Sequence, residues 1–230
     1  MLWDSEAHFV DEFIHSNEKI VSSLSYDSLV VKELKTGYGR PDIALIQYDR
    51  QILCSRNSTK DSISQIGCYA ISYLASRRWV SVEKLGDFLR INNRKLFTII
   101  EELISLDLIS QRNHLVKARP KSEIMAVKRI LTFEAKLQNW QEAIDQAERH
   151  LWFTNESYVL MPYLSEKLAD KILKECIKKG VGLSFYDSEL GYKTVANPAK
   201  KGINNSPFIW AINEKLMEVE NESKPIFSRV

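Results

Sequence analysis

The chain has 230 residues, 44% of them hydrophobic and 27% charged, enough apolar material for one large or two small folded domains and too much for a disordered chain. Its 32 Lys and Arg against 30 Asp and Glu give a net charge of +2, which excludes a uniformly polybasic nucleic-acid coat and an acidic tail. Three widely separated cysteines (Cys54, Cys68, Cys176), with no CxxC pair, argue against a disulfide framework and a structural zinc site, and suit a reducing cytoplasm. The N-terminus has no basic region followed by an apolar run, and stretches such as Ile43–Ile46 are far too short to span a bilayer. The expectation is a soluble, cytoplasmic protein without a membrane partner.

In chain order, the first helical pattern runs from about Ser5 to Asn17, with Ser5 as N-cap and Phe9, Val10, Phe13 and Ile14 on one stripe. Leu29–Lys35 and Pro41–Tyr48 read as strands joined by a turn at Thr36–Gly39, a predicted hairpin. Residues 56–120 change character. Helical periodicity covers Ile63–Leu74, Val82–Leu89 (capped by Ser81) and Leu96–Leu106, and a short hairpin follows around Arg112-Asn113-His114. After Pro120 the pattern returns to alternating elements: a strand at Lys128–Leu137, a helix carrying Trp140, Ala143, Ile144, Ala147 and Leu151, a strand at Ser157–Pro162, a helix at Glu166–Lys179 ending at Gly180, and a strand at Val181–Tyr186. Residues 191–205 read as a last strand and loop, and Phe208–Val219 as a terminal helix. Trp140, Trp152 and Trp210 are expected as core or packing residues.

Side chains on a strand alternate faces, so Glu134 and Lys136 emerge from the same side of Lys128–Leu137, roughly 7 Å apart. Asp42 opens its own strand beside a Gly-rich turn. Two carboxylates and a lysine on adjacent strand ends match the needs of phosphodiester hydrolysis: hard oxygen ligands for Mg²⁺, and a cation for the attacking water or the developing charge. Gly39-Arg40-Pro41-Asp42-Ile43 followed by Glu134-Ala135-Lys136 resembles the PD-(D/E)XK nuclease superfamily, the restriction-endonuclease-like enzymes. The element order (helix, three strands, helix, strand) is similar to that core over roughly 1–50 and 122–162. The resemblance implies an α/β fold with a mixed sheet flanked by helices. It also implies Asp42 and Glu134 as metal ligands for Mg²⁺, with Mn²⁺ as a substitute, and Lys136 serving the hydrolytic water. Family members often add a Glu from the first helix. Glu6 shares the sheet-facing stripe, with Glu12 and Glu33 as competitors. Some add a Gln followed by Tyr four residues on; here Gln146 is followed by His150, so that match is partial.

The two motifs are some 90 residues apart, far more than a crossover needs. The excess, residues 56–120, is predicted to be an inserted domain, with the nuclease-like core in 1–55 and 121–230, the latter including the C-terminal helix. Helix, helix, helix and hairpin resemble a winged helix-turn-helix, whose third helix starts near Arg94. Asn92, Asn93, Arg94 and Lys95 at its start and Arg112 at the wing are then the expected DNA contacts. The insert holds 11 Lys and Arg against 6 Asp and Glu, the remainder 21 against 24, so the near-neutral total combines a basic insert with a mildly acidic core.

No G-x-x-x-x-G-K-[ST], G-x-G-x-x-G or G-x-S-x-G stretch supports a nucleotide cofactor or a serine hydrolase. The reading is therefore a metal-dependent DNA endonuclease, with a second copy of the chain as an expected partner for cutting both strands. Its rivals are a winged-helix regulator that binds DNA without cutting, and an interaction subunit of a larger defence, repair or mobile-element complex. The polar loop Lys200–Asn205 reads as a solvated surface loop.

Overall fold

The computed structural model describes residues 3–16, 26–36, 39–56, 62–199, 202 and 205–222. Lys200, Lys201, Ile203 and Asn204 of the polar loop, Gly37 and Tyr38 of the turn, and the end of the chain beyond 222 lie outside them. The chain divides into two compact units, one of Met1–Gln47 and Arg129–Asn204, the other of Tyr48–Lys128 and Asn205–Ile226. Among the described residues, no helix is long and apolar enough to cross a membrane.

The first unit is α/β: a mixed six-stranded sheet flanked by helices. Helix α1 (Glu6–Ser16) is followed by strands β1 (Asp27–Lys32) and β2 (Ile43–Tyr48). The later elements are β6 (Val127–Ala135), α7 (Trp140–His150), β7 (Glu156–Pro162), α8 (Glu166–Lys179), β8 (Gly182–Asp187) and β9 (Gly191–Ala196). The sheet order is β1-β2-β6-β7-β8-β9, with β6, β7 and β8 parallel and β9 antiparallel to β8. Helical crossovers α7 and α8 are what parallel neighbours require. Ser5 closes the start of α1, its hydroxyl accepting the His8 amide at 3.2 Å. Gly180, at φ 69°, ends α8 in the left-handed conformation that glycine adopts without cost.

Both sheet faces are buried. On one, Phe9, Val10 and Phe13 of α1 pack with Trp3 onto Val30, Ile43, Leu45, Leu131, Phe133, Leu160 and Tyr186. On the other, Ala143, Ile144 and Ala147 of α7 and Ile172 and Cys176 of α8 pack onto Val159, Met161, Leu183 and Phe185. Strands covered on both sides carry near-continuous apolar runs, which is why β2 is buried along its whole length. Trp152, expected as a core or packing residue, is exposed on the turn after α7, where the helix stripe ends with Leu151 facing inward.

The second unit contains α2 (Arg50–Arg56), α3 (Gln65–Ala75), β3 (Val80–Ser81), α4 (Val82–Leu89), α5 (Asn93–Ser105), β4 (Ile109–Arg112), β5 (Leu115–Ala118), α6 (Lys121–Ile124) and α9 (Pro207–Glu222). A three-stranded sheet, ordered β3-β5-β4 and antiparallel throughout, closes the helices. Ser64, Ser81 and Asn92 cap α3, α4 and α5 with their side-chain oxygens. Ile71, Leu74, Leu85, Leu96, Ile100, Leu103 and Val116 are fully or almost fully buried.

Two boundaries differ from the sequence expectation. The unit runs from Tyr48 to Lys128 rather than 56 to 120, because α2 and α6 lack the long periodicity that marks a helix in sequence. The C-terminal helix, assigned to the core, belongs to this unit: it packs against α3. Ile209, Trp210, Ile212, Leu216 and Met217 supply its buried face. Asn213 Oδ1 accepts the Ala126 and Val127 amides at 2.8 and 3.2 Å, and Glu214 Oε2 accepts the Ile63 amide at 2.9 Å. These buried amides have their partners on α9. Asn213→Ala is therefore expected to lower stability by about 1–3 kcal/mol, read as a fall in the denaturant midpoint with an unchanged slope. No fall would refute this role for α9.

Candidate active site

Asp42, Glu134 and Lys136 are brought together at one end of the first unit's sheet. Asp42 stands just before β2, beside the Thr36–Gly39 turn, in which the Gly39 carbonyl accepts from the Thr36 amide and hydroxyl at 3.0 and 2.6 Å. Its Oδ2 accepts the Ala135 amide at 2.7 Å, which fixes it beside the C-terminal end of β6. Glu134 is the penultimate residue of β6 and 2% exposed. Lys136 follows the strand; its amide donates to Leu160 of β7 at 3.1 Å, and its Nζ donates to Glu134 Oε1 at 3.2 Å and to Glu6 Oε2 at 3.3 Å.

Of the three N-terminal glutamates, Glu6 is the one at Lys136. Glu12 accepts the Trp3 indole N–H, and Glu33 is paired with Arg40. Gln146 lies on the inner half of α7, its Oε1 buried without a hydrogen-bond partner. His150, one turn on, is buried with its Nδ1 likewise unpartnered, and burial pushes its pKa down to about 4, helped by the Arg149 charge. Sequence reasoning noted His150 only as the residue standing where a Tyr was expected. In the structure Gly39 backs onto it. A Cβ at Gly39 would lie 3.0 Å from His150 Nε2, and its φ of 142° is one that side-chain-bearing residues rarely adopt.

The electrostatics follow from burial. Glu134 is pushed up to about 8, first by loss of hydration and then by the neighbouring Asp42 charge, against the pull of Lys136. Asp42 is raised by burial as well, against the Ala135 hydrogen bond and Lys136. Burial alone would lower the Lys136 pKa, but Glu134, Asp42 and Glu6 outweigh it and the net shift is upward. A buried Glu134 thus pairs with Lys136 beside a half-buried Asp42, and Glu134 Oε2 has no hydrogen-bond partner.

No known protein family, curated protein or solved structure matches this chain.

Among the described residues, no three or more His, Cys, Asp and Glu side chains are grouped to hold a metal on their own. The donor set nonetheless fits Mg²⁺, which keeps several waters and takes only one or two protein carboxylates, the rest coming from substrate phosphate. Asp42 and Glu134 are such a pair, and the orphaned Glu134 oxygen is a buried acceptor that a cation satisfies.

The residues expected to contact DNA lie on the second unit. Asn92 spends its Oδ1 on the Lys95 amide at 2.9 Å as the α5 cap. Asn93, Arg94 and Lys95 are exposed in the first turn of α5, and Arg112 is exposed at the end of β4 with its guanidinium over the Trp79 ring. Trp79 carries no motif, and only the strand register identifies its neighbours.

Folded, Glu134 keeps its proton up to about pH 8; unfolded, it loses it near 4.5. The folded state binds more protons between those values, so stability falls as pH rises through that window. Glu134→Gln removes the titration. Its melting temperature, measured without metal, is expected to gain steadily on the wild type from pH 5 to pH 8. Parallel melting curves across that range would refute the burial of Glu134 as the cause.

Proposed function

We propose that the chain is a metal-dependent endonuclease that hydrolyses DNA phosphodiester bonds at Asp42, Glu134 and Lys136. The observation that carries this reading is the unpartnered Oε2 of Glu134, buried at a strand end where Asp42 is the second carboxylate and Lys136 the adjacent cation. Asp42 and Glu134 would hold Mg²⁺ (or Mn²⁺), and the ion, when bound, polarises a phosphate and acidifies its water. Lys136 keeps its proton and places positive charge where the attacking oxygen and the pentavalent phosphate carry negative charge. Glu6 restrains Lys136 from the α1 side, while Asp42 is held by the Ala135 amide.

The order helix, strand, strand, then strand, helix, strand around the site supports a restriction-endonuclease-like core. In the second unit, helix, short strand, two helices and a two-stranded wing support a winged-helix module that contacts DNA. A second reading, an interaction subunit, draws on α5. Past its first turn its outward face carries Phe97, Glu101 and Ile104, and both apolar side chains are exposed.

Supercoiled plasmid incubated with Mg²⁺ is expected to be nicked or linearised, with loss of cutting in EDTA. Glu134→Ala and Lys136→Ala should each reduce cutting by about 10²-fold or more; cutting that survives both would overturn this site. Metal binding has its own readout. At pH 8, Mg²⁺ should raise the wild-type melting temperature, since a ligand of the folded state alone stabilises it. The double variant Asp42→Asn, Glu134→Gln should not respond.

A further inference from the structure

The small sheet of the second unit has two unlike faces. Its register pairs Val80 with Val116, Ser81 with Leu115, Ser110 with Lys117, Gln111 with Val116, and Arg112 with Leu115. Cross-strand partners point the same way and successive residues alternate. Val80, Ile109, Val116 and Ala118 therefore form the inner face, and all four are buried. Ser110, Arg112, Leu115 and Lys117 form the outer face. Trp79, one residue before β3, falls in step with Ser81 and joins this outer face. The Arg112 guanidinium confirms this placement: it lies over the Trp79 ring, 5.5 Å from the centroid.

Such a face is unusual in content. Trp79 is 39% exposed, although tryptophan is highly buried on average. Lys117 on β5 and Arg112 on β4 both lie on one side of it, and both are exposed. None of the three strands carries Asp or Glu. A surface-packing role accounts for the Arg112–Trp79 pair, a cation–π interaction of ordinary geometry. It does not account for a second cation and a complete lack of acids on the same face.

We propose that this outer face is a stacking platform for unpaired nucleotides of single-stranded DNA. The Trp79 ring takes a base, and Lys117 and Arg112 hold the phosphates that continue from it across the sheet. An exposed aromatic beside cations is the combination by which single strands are held with little regard to sequence. Every base has a π-face, and the charges follow the backbone. In a duplex the bases are already stacked on each other and cannot reach the ring, so the platform discriminates by strandedness. The inference takes from the proposed function only that the substrate is DNA. It points to substrates with a frayed end, gap or branch, and it needs nothing from Asp42, Glu134 or Lys136.

The test is fluorescence anisotropy of a labelled oligo-dT single strand and of a labelled duplex of equal length, in EDTA, so that binding is read whether or not the protein cuts. Trp79→Ala should weaken single-strand binding by about tenfold and leave duplex binding unchanged, and Trp79→Phe should restore most of the loss. Arg112→Gln with Lys117→Gln should flatten the dependence of log K on log salt by roughly 1.4, about 0.7 for each phosphate no longer neutralised. Unaltered single-strand binding by Trp79→Ala would overturn the platform. So would equal losses on both DNAs, or no rescue by Phe at a melting temperature matching the wild type. Absence of single-strand binding by the wild type would overturn it too. A protein that fails to nick plasmid yet shows the Trp79 effect would sink the nuclease reading and leave the platform standing.

Discussion

The polar end of the first unit depends on one hydrogen bond, from the Ala135 amide to the Asp42 carboxylate. It ties the loop that carries Asp42 to the strand that carries Glu134. Without it, two acids would have no reason to be held near each other at a buried strand end. With it, the Asp42 charge lies close enough to raise Glu134, while Lys136 pairs with Glu134 and Glu6. Burial raises both carboxylates, and the network of Lys136 with Glu134 and Glu6 offsets part of that cost.

The two units divide the physical work. The first is built on strands buried on both faces, where apolar packing from α1 on one side and α7 and α8 on the other leaves polar groups at the strand ends. The second is small and helical, and is held together partly by side chains of α9 that satisfy buried amides of 63, 126 and 127. Its outward surfaces are heterogeneous. The start of α5 is basic, the rest of that helix's outer face is apolar and acidic, and the small sheet shows an aromatic among cations.

Much of this was legible from residue pattern. Val82–Leu89 and Glu166–Lys179 were readable to the residue because strong amphipathic periodicity fills them, with Ser81 marking the first one's start and Gly180 the second one's end. The neighbourhood of Asp42, Glu134 and Lys136 followed from strand alternation and motif order. What was not legible depends on long-range pairing. Helices Arg50–Arg56 and Lys121–Ile124 are too short to show a period. The attachment of α9 rests on Asn213 and Glu214 meeting amides far away in sequence. The burial of His150 against Gly39 shows only in the fold, and Trp79 came to notice only because of the β3–β5–β4 register. Choosing Glu6 over Glu12 and Glu33 required knowing that Trp3 and Arg40 occupy the other two.

Strands β2 and β6 are neighbours in the sheet, yet the whole stretch from Asp49 to Ala126 lies between them. Closing so long a loop from an open chain is entropically costly, and pairings between distant segments slow folding. The second unit's chain closes that stretch at its base. Its own ends meet in a hydrogen bond of 2.9 Å from the Asp49 amide to the Ala126 carbonyl, and Lys128 reaches Asp49. With Asp49 held to Ala126, the strand that ends at Tyr48 and the strand that begins at Val127 leave this contact as hydrogen-bonded neighbours. A contact within the second unit's own chain, Asp49 with Ala126, thus brings together two halves of one sheet that are distant in sequence.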